Sequence, residues 1–539
     1  MINKTQNLIL FVFLLLFTTH THIIAETITV NEGVDKNIKI KLKRSAIRTS
    51  PFDPLEATDT NFVVDDSTGL DTECTFRNEG PLKFDIEITR YVGEVDQDGY
   101  LIDPTSLIQE NLISEDALLR MPVYDVDYDV SNYDELKDGI LPERDVVFFN
   151  GVKIKRSGTA ESYLIGENKT WILNEFIVPI EIIKFPERTL PGNNAKAVKN
   201  DIEIRIDQAN IGNIVEDEED DQYWCAAVDW AALSFKAMPP LLLIHGNNSD
   251  GDFWERRGFT AILNQHGIVY DNSINLPTTT VALNAQQLNS IIPEVAKSLG
   301  VQNIQIIAHS KGGLDTRDFL SRFYPTLEKT KKLKVHTFIT LSTPHRGSVG
   351  ADLIRAVELL QDYKIANEND RTELAEFLSD NYSQNQYNAN FNLSTEFVRN
   401  FNATNRLPKS IRYFSLGADA DINNNNSLER NEYQEMLDEA GRSNTWDIFV
   451  NNKMNTMYSG IGGFSSVTIR NTGEKTFWGT EIWEVVENPT ASFQLNDMMV
   501  TVNSARYSFN WIGQFDKNHA SVADQEIANA VLPHLIYAE

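Results

Sequence analysis

Ser310 stands in Ile306-Ile307-Ala308-His309-Ser310-Lys311-Gly312-Gly313-Leu314, an apolar run that stops at a cluster of small residues. Such a run reads as a strand, a sharp turn and a helix, with the serine on the turn and its hydroxyl exposed. A serine hydroxyl is a weak nucleophile until a base takes its proton. An imidazole doing so needs a carboxylate to fix its tautomer and stabilise its charged form. Small residues two before and two after the serine, Ala308 and Gly312, suit a strained turn pressed against its neighbours. The chemistry on offer is nucleophilic attack on an acyl group, with backbone N–H groups placed to hold the oxygen that becomes charged.

The elements that must position this serine come next. Residues 240–244 form an apolar strand running into His245-Gly246-Asn247, and the apolar run 335–341 leads into Ser342-Thr343-Pro344-His345-Arg346-Gly347. Three strands delivering loops to one sheet edge, with A-x-S-x-G in place of G-x-S-x-G, predict an α/β-hydrolase: a mostly parallel sheet with helices on both faces. In that fold the backbone N–H groups of Asn247 and Lys311 make the oxyanion hole, and the triad runs serine, acid, histidine along the chain. Of nine histidines, His20 and His22 lie in an N-terminal leader, and His245, His266 and His309 precede or abut the serine. His336 lies inside a strand, His345 comes too early, and His534 sits in a helical segment. His519, in a loop after the apolar strand 511–515, is the base. Two acids compete, Asp419 after the strand 411–416 and Asp497 in Asn496-Asp497-Met498-Met499-Val500.

Further short matches carry a family resemblance: Thr343-Pro344-His345-Arg346-Gly347-Ser348, Leu393-Ser394-Thr395-Glu396 with Phe401-Asn402-Ala403, Tyr413-Phe414-Ser415, Asn496-Asp497, Val500, Ser504 and Asn518-His519. Falling in this order over residues 240–539, they resemble the true lipases of Pseudomonas and Burkholderia type. The resemblance implies that the acid is the aspartate some twenty residues before the histidine, which favours Asp497 over Asp419. It also marks departures. The family's glycine after the acid is Met498 here, its calcium-binding aspartate two places after the histidine is Ser521, and its disulfide has no counterpart because no cysteine follows Cys225.

A metal signal of another kind lies at 421–432. Asp421, Asn423, Asn425, Ser427, Glu429 and Glu432 place oxygen side chains in the twelve-residue pattern of an EF-hand calcium loop, with Leu428 at position eight and Glu432 as the bidentate ligand. Asn426 stands where glycine is usual, and asparagine tolerates the left-handed backbone needed there. The preceding segment is strand-like, so the loop is EF-hand-like and predicts one structural calcium. No organic cofactor is indicated.

The chain has 539 residues and a formal net charge of -29, which argues against nucleic acid as a partner. Lys4 and the apolar run 8–17 read as a signal peptide over 1–25, too short to span a bilayer, so export without a transmembrane segment is expected. From 26 to 236 the pattern has period two. Leu82, Phe84, Ile86 and Ile88 alternate with polar residues, as do Ile202, Ile204 and Ile206, and Asn150-Gly151 is a hairpin turn. This predicts an antiparallel β-sandwich, an accessory domain for binding a surface or polymer. Trp171, Trp224 and Trp230 read as its core before they read as a sugar platform, and the acidic run 216–221 reads as a solvated loop. Cys74 and Cys225 are one disulfide or two buried thiols. The catalytic domain follows over 237–539, with cap helices in 348–410.

These readings predict a secreted serine esterase or lipase acting through an acyl-enzyme on ester or lipid substrates, with Ser310, Asp497 and His519 as its triad. A thioesterase, a polyester depolymerase or an amidase would use the same groups. A surface adhesin with an inert hydrolase domain is the reading from another class.

Overall fold

The computed structural model describes residues 50–52, 75–124, 126, 142–167, 169–209, 225–362, 384–425, 427–439, 448–475, 479 and 481–538. The leader 1–25, Cys74, the acidic run 216–221, Trp224 and Asn426 lie outside the described residues. Those described belong to one compact unit, Arg48–Glu539.

The parallel sheet comprises β1 (Leu241–Ile244), β2 (Tyr270–Asp271), β3 (Asn303–His309), β4 (Lys334–Leu341), β5 (Arg412–Asp419) and β6 (Asn510–Asp516), in the order β2-β1-β3-β4-β5-β6. Every neighbouring pair is parallel. Successive side chains of a strand face opposite sides, and in β1, β3, β4 and β5 both sides are largely buried. Leu242, Ile244, Ile304, Ile306 and Phe338 pack against Ala285, Leu288 and Ile292 of the helix Val281–Ser298 and Phe319 of the helix Lys311–Arg322. Leu241, Leu243, Ile307, Ile339 and Leu416 pack on the other face against Ile262 of the helix Phe259–Gln265 and Ile527 of the helix Gln525–Val531. Continuous apolar strands are what a sheet covered on both faces requires.

The N-terminal portion is antiparallel throughout. Leu82–Ile88, Val198–Arg205, Val146–Phe149 and Val152–Lys153 form one sheet in that order. Asp116–Tyr124 and Trp171–Pro179 lie at the centre of a second. The alternation read from sequence has its cause here, since Ile86, Ile202 and Ile204 of one sheet and Leu119, Met121 and Phe176 of the other share a single core. Asn150 and Gly151 turn the hairpin with φ of 46° and 78°, the doubly left-handed geometry that Asn-Gly favours. Trp230 is a core residue, with Nε1 donating to the carbonyl of Phe52 at 3.2 Å. Trp171 is half-buried against Tyr124. Cys225 is disulfide-bonded.

The two portions are interlocked. Arg90 is buried and donates to the carbonyls of Ala237 and Met238 at 2.8 and 2.9 Å. The Tyr91 amide donates to Leu299 O, and the Met238 amide to Leu112 O. A Cβ on Gly300 would come within 2.0 Å of Thr89 O, so only glycine permits this approach.

After Ser348 come the helices Val349–Asp362, Gln384–Leu393 and Thr395–Thr404, in the stretch expected to be a cap. A two-stranded hairpin, Phe464–Lys475 with Glu481–Pro489, packs on the first of them through Val467 and was not visible in the sequence.

Candidate active site

All seven residues of β3 are buried, and the strand delivers Ser310 to its carboxyl end. Ser310 has φ 53° and ψ −129°, and Lys311 begins the helix at once. A non-glycine residue at positive φ is strained by about 1–3 kcal/mol and persists only where its surroundings fix it. Here the Ser310 amide donates to Leu341 O at 2.9 Å, and its carbonyl accepts from the Gly313 amide at 3.0 Å. The small neighbours have a steric cause. A Cβ on Gly312 would meet His245 O at 2.2 Å, one on Gly313 would meet Thr343 Oγ1 at 2.0 Å, and one on Gly246 would meet Ser310 Cβ at 2.8 Å.

His519 follows β6 in the loop where it was expected. Its Nε2 is 2.8 Å from Ser310 Oγ, and its Nδ1 is 2.8 Å from Asp497 Oδ2. A carboxylate only accepts, so Nδ1 carries the hydrogen and Nε2 is left with a lone pair facing the serine hydroxyl. The His519 amide donates to Asp497 O at 2.9 Å, tying the two loops together.

Asp497 is fully buried, and its other oxygen accepts from the amides of Met499 at 3.0 Å and Val500 at 2.7 Å. Met498 adopts φ 76° to make this turn, in the place where the resembling family has glycine. Its side chain offsets that strain by filling a core with Ala420, Leu428, Tyr433, Leu437, Met454 and Tyr458.

Asp419 does not meet His519. It ends β5 and accepts from Tyr458 Oη at 2.8 Å and from the Asn496 amide at 3.3 Å, so it braces the residue before Asp497. Burial pushes its carboxyl up from the usual range, partly offset by the Tyr458 hydrogen bond.

Lys311 is the first residue of its helix, where a backbone N–H has no intrahelical acceptor. Its side chain is buried in an ion pair, Nζ to Asp315 at 2.8 and 3.0 Å, and Asp315 also accepts from Asn284 at 2.8 Å. Asn247 lies in the loop after β1, directly after Gly246. That loop is fixed by His245, whose Nδ1 donates to Gly246 O and whose Nε2 accepts from the Leu276 amide, and by Thr278 Oγ1 donating to Asn248 Oδ1.

In the loop 421–432, Asp421 and Glu432 are buried at 2% and 1% exposure. Glu432 accepts from the amides of Asn423 and Glu429, Asp421 from that of Asn425, and Asn423 Oδ1 also from Asn425. These bonds order the loop through its backbone amides, while the side chain of Asn425 accepts from the Ser427 amide at 2.8 Å. Ser427 Oγ donates to Asn455, and Asn423, Asn425, Ser427 and Glu429 are all exposed. Among the described residues no three Asp, Glu, His or Cys side chains converge as a metal site. Asn518 Nδ2 donates to Glu432 O at 3.1 Å, which sets this loop beside the His519 loop.

Sequence reasoning missed three buried groups around this edge: His309, Tyr458 and Arg317. Each acts through contacts with elements distant along the chain, and no local pattern marks such contacts.

A family model described as "Domain of unknown function (DUF7379)" matches residues 204–386. No curated protein matches the chain. Among solved structures, it is similar to the mature form of Bacillus licheniformis lipase BlEst2, with TM-score 0.35, 19% identity, and coverage of 56% of this chain and 93% of that one. It is similar to EstA from Clostridium botulinum, with TM-score 0.31, 15% identity, and coverage of 56% and 88%. The likeness to lipase 1 from Pelosinus fermentans has TM-score 0.29, 16% identity, and coverage of 54% and 95%.

Proposed function

We propose that the protein is a secreted serine hydrolase whose α/β-hydrolase part cleaves carboxylic esters, lipids foremost, through an acyl-enzyme. The observation that carries this reading is the line of two 2.8 Å hydrogen bonds from Ser310 through His519 to Asp497, set on a strained turn at the end of a parallel strand. Ser310 Oγ attacks the acyl carbon as its proton passes to His519 Nε2, and Asp497 stabilises the imidazolium. The amides of Lys311 and Asn247 receive the oxyanion. The imidazolium then protonates the departing alkoxide, and a water deprotonated by His519 releases the acid. The short motifs shared with the Pseudomonas and Burkholderia lipases favour oxygen esters and lipids.

The test is turnover of p-nitrophenyl esters by wild type and Ser310→Ala. The variant is expected to lose about 10⁴-fold or more in kcat, and a variant that keeps a tenth of the rate contradicts the assignment. A panel of thioesters, polyesters and amides ranks the alternatives on the same triad, and an inert adhesin would cleave none.

The loop 421–432 is read as a structural calcium site held by Asp421, Asn423, Asn425, Ser427, Glu429 and Glu432. A bound cation would neutralise two buried carboxylates. The N-terminal sheets are read as a β-sandwich that spaces or anchors the catalytic part on a surface or polymer, and residues 1–25 as a leader removed on export.

A further inference from the structure

His309 ends β3, one residue before the nucleophile, and is 5% exposed. Its ring lies face to face with that of Phe253, 4.7 Å between centroids at 18°, and against the His519 ring at 4.8 Å and 42°. Its Nε2 is 3.1 Å from the backbone carbonyl of His519. A carbonyl only accepts, so Nε2 carries the hydrogen. Burial, with the neighbouring His519, pulls its pKa well below the ordinary histidine value, which keeps the ring neutral. Its Nδ1 has no hydrogen-bond partner and faces Gly246, where an added Cβ would come within 3.0 Å of that nitrogen. One side chain therefore touches the loop after β1 and the His519 loop while adjoining Ser310.

We infer that His309 is a positioning residue for His519, clamping its carbonyl and packing its ring so that Nε2 stays on Ser310 Oγ through both half-reactions. The inference rests on the serine-hydrolase reading. The acid loop holds His519 from one side, through its amide and its Nδ1. His309 supplies the tie on the carbonyl side and a tilted ring contact, itself backed by the stacked ring of Phe253. Packing alone does not account for an imidazole here, because phenylalanine would fill the space without leaving a buried nitrogen unpartnered, a free-energy cost. The donated hydrogen bond is what a phenyl ring lacks. Neutrality also matters, since a second positive charge 4.8 Å from His519 would oppose the imidazolium formed during catalysis.

The test measures kcat and KM for p-nitrophenyl butyrate, with circular-dichroism melts, on the full chain. His309→Phe keeps the stacking and loses the donor. It is expected to lower kcat about 10- to 100-fold with KM within about twofold, since small misplacements of reacting groups cost that much. His309→Gln keeps an N–H donor at similar reach and should recover part of the loss. A folded His309→Phe with wild-type kcat overturns the inference, as does a loss confined to KM. If the phenylalanine variant does not fold, His309→Gln against His309→Leu decides: a faster glutamine variant supports donation, and equal rates overturn it. A wild type that neither turns over ester nor takes up a fluorophosphonate fails the hydrolase reading and this inference with it. A wild type that does both, with an unimpaired His309→Phe, fails the inference alone.

Discussion

At the scale of residues, the two candidate acids differ in what their oxygens already hold. Asp497 presents one oxygen to His519 and fixes the other on two amides, whereas Asp419 is occupied by Tyr458 and the Asn496 amide. Asp497→Asn is therefore expected to lower kcat by about 10⁴-fold through loss of the imidazole tautomer. Asp419→Asn should cost less than about tenfold. Steady-state kinetics on the two variants check this, and the reverse ranking would move the acid to Asp419. The serine and the histidine were legible in the sequence because small residues flank the one and chain order isolates the other. The acid was not legible from the residues themselves, since both aspartates come between the serine and the histidine along the chain and only tertiary partners separate them. The backbone at Met498 was equally hidden. A methionine gives no sign of φ 76° until the apolar cluster that holds its side chain is in place.

At the scale of elements, the β4 loop is held to the nucleophile helix by a buried polar clamp. Arg317 donates to His345 Nδ1 at 3.2 Å and to Asn402 Oδ1 at 2.8 Å, while His345 Nε2 donates to Thr340 Oγ1 at 2.9 Å. Burial first, then Arg317 and Arg346, pull the His345 pKa well below the ordinary value. As pH falls below about 6.5 the unfolded chain binds a proton here that the native state does not, so stability falls with pH. Chemical denaturation at pH 7 and pH 5 should show wild type losing more than His345→Gln, by on the order of 1 kcal/mol per pH unit. Equal slopes would mean that His345 protonates freely in the fold. The loop 421–432 makes a separate forecast. Millimolar calcium should raise the wild-type melting temperature and EGTA lower it, with most of the difference lost in Glu432→Gln, by linkage of binding to folding. Superimposed wild-type melts would leave it an asparagine-rich turn. The main strands were legible because their periods differ, continuous apolar runs for the covered parallel sheet and alternation for the N-terminal sheets. The hairpin Phe464–Lys475 with Glu481–Pro489 was not. Among its described side chains Val467 alone is buried, so no covered face sets the pair apart.

At the scale of the whole molecule, the sequence pattern changes near residue 237, but the packing does not part there. Arg90 holds the carbonyls of Ala237 and Met238, Ile113 pairs with Ala237, and the Ala538 amide donates to Asn111 O at 2.8 Å. Period and composition report local structure and are silent on how closely two portions interlock. A chain of residues 237–539 alone should therefore melt lower than the full chain or stay insoluble. An equal melting temperature and equal kcat would make the N-terminal portion dispensable to the catalytic part. A serine hydrolase of this kind requires Ser310 to be an activated nucleophile in the folded protein. Mass spectrometry after reaction with a fluorophosphonate measures that directly. One adduct is expected, on the peptide carrying Ser310, absent after heat denaturation and absent in His519→Ala. A folded wild type without an adduct, or with its adduct on another serine, would contradict it.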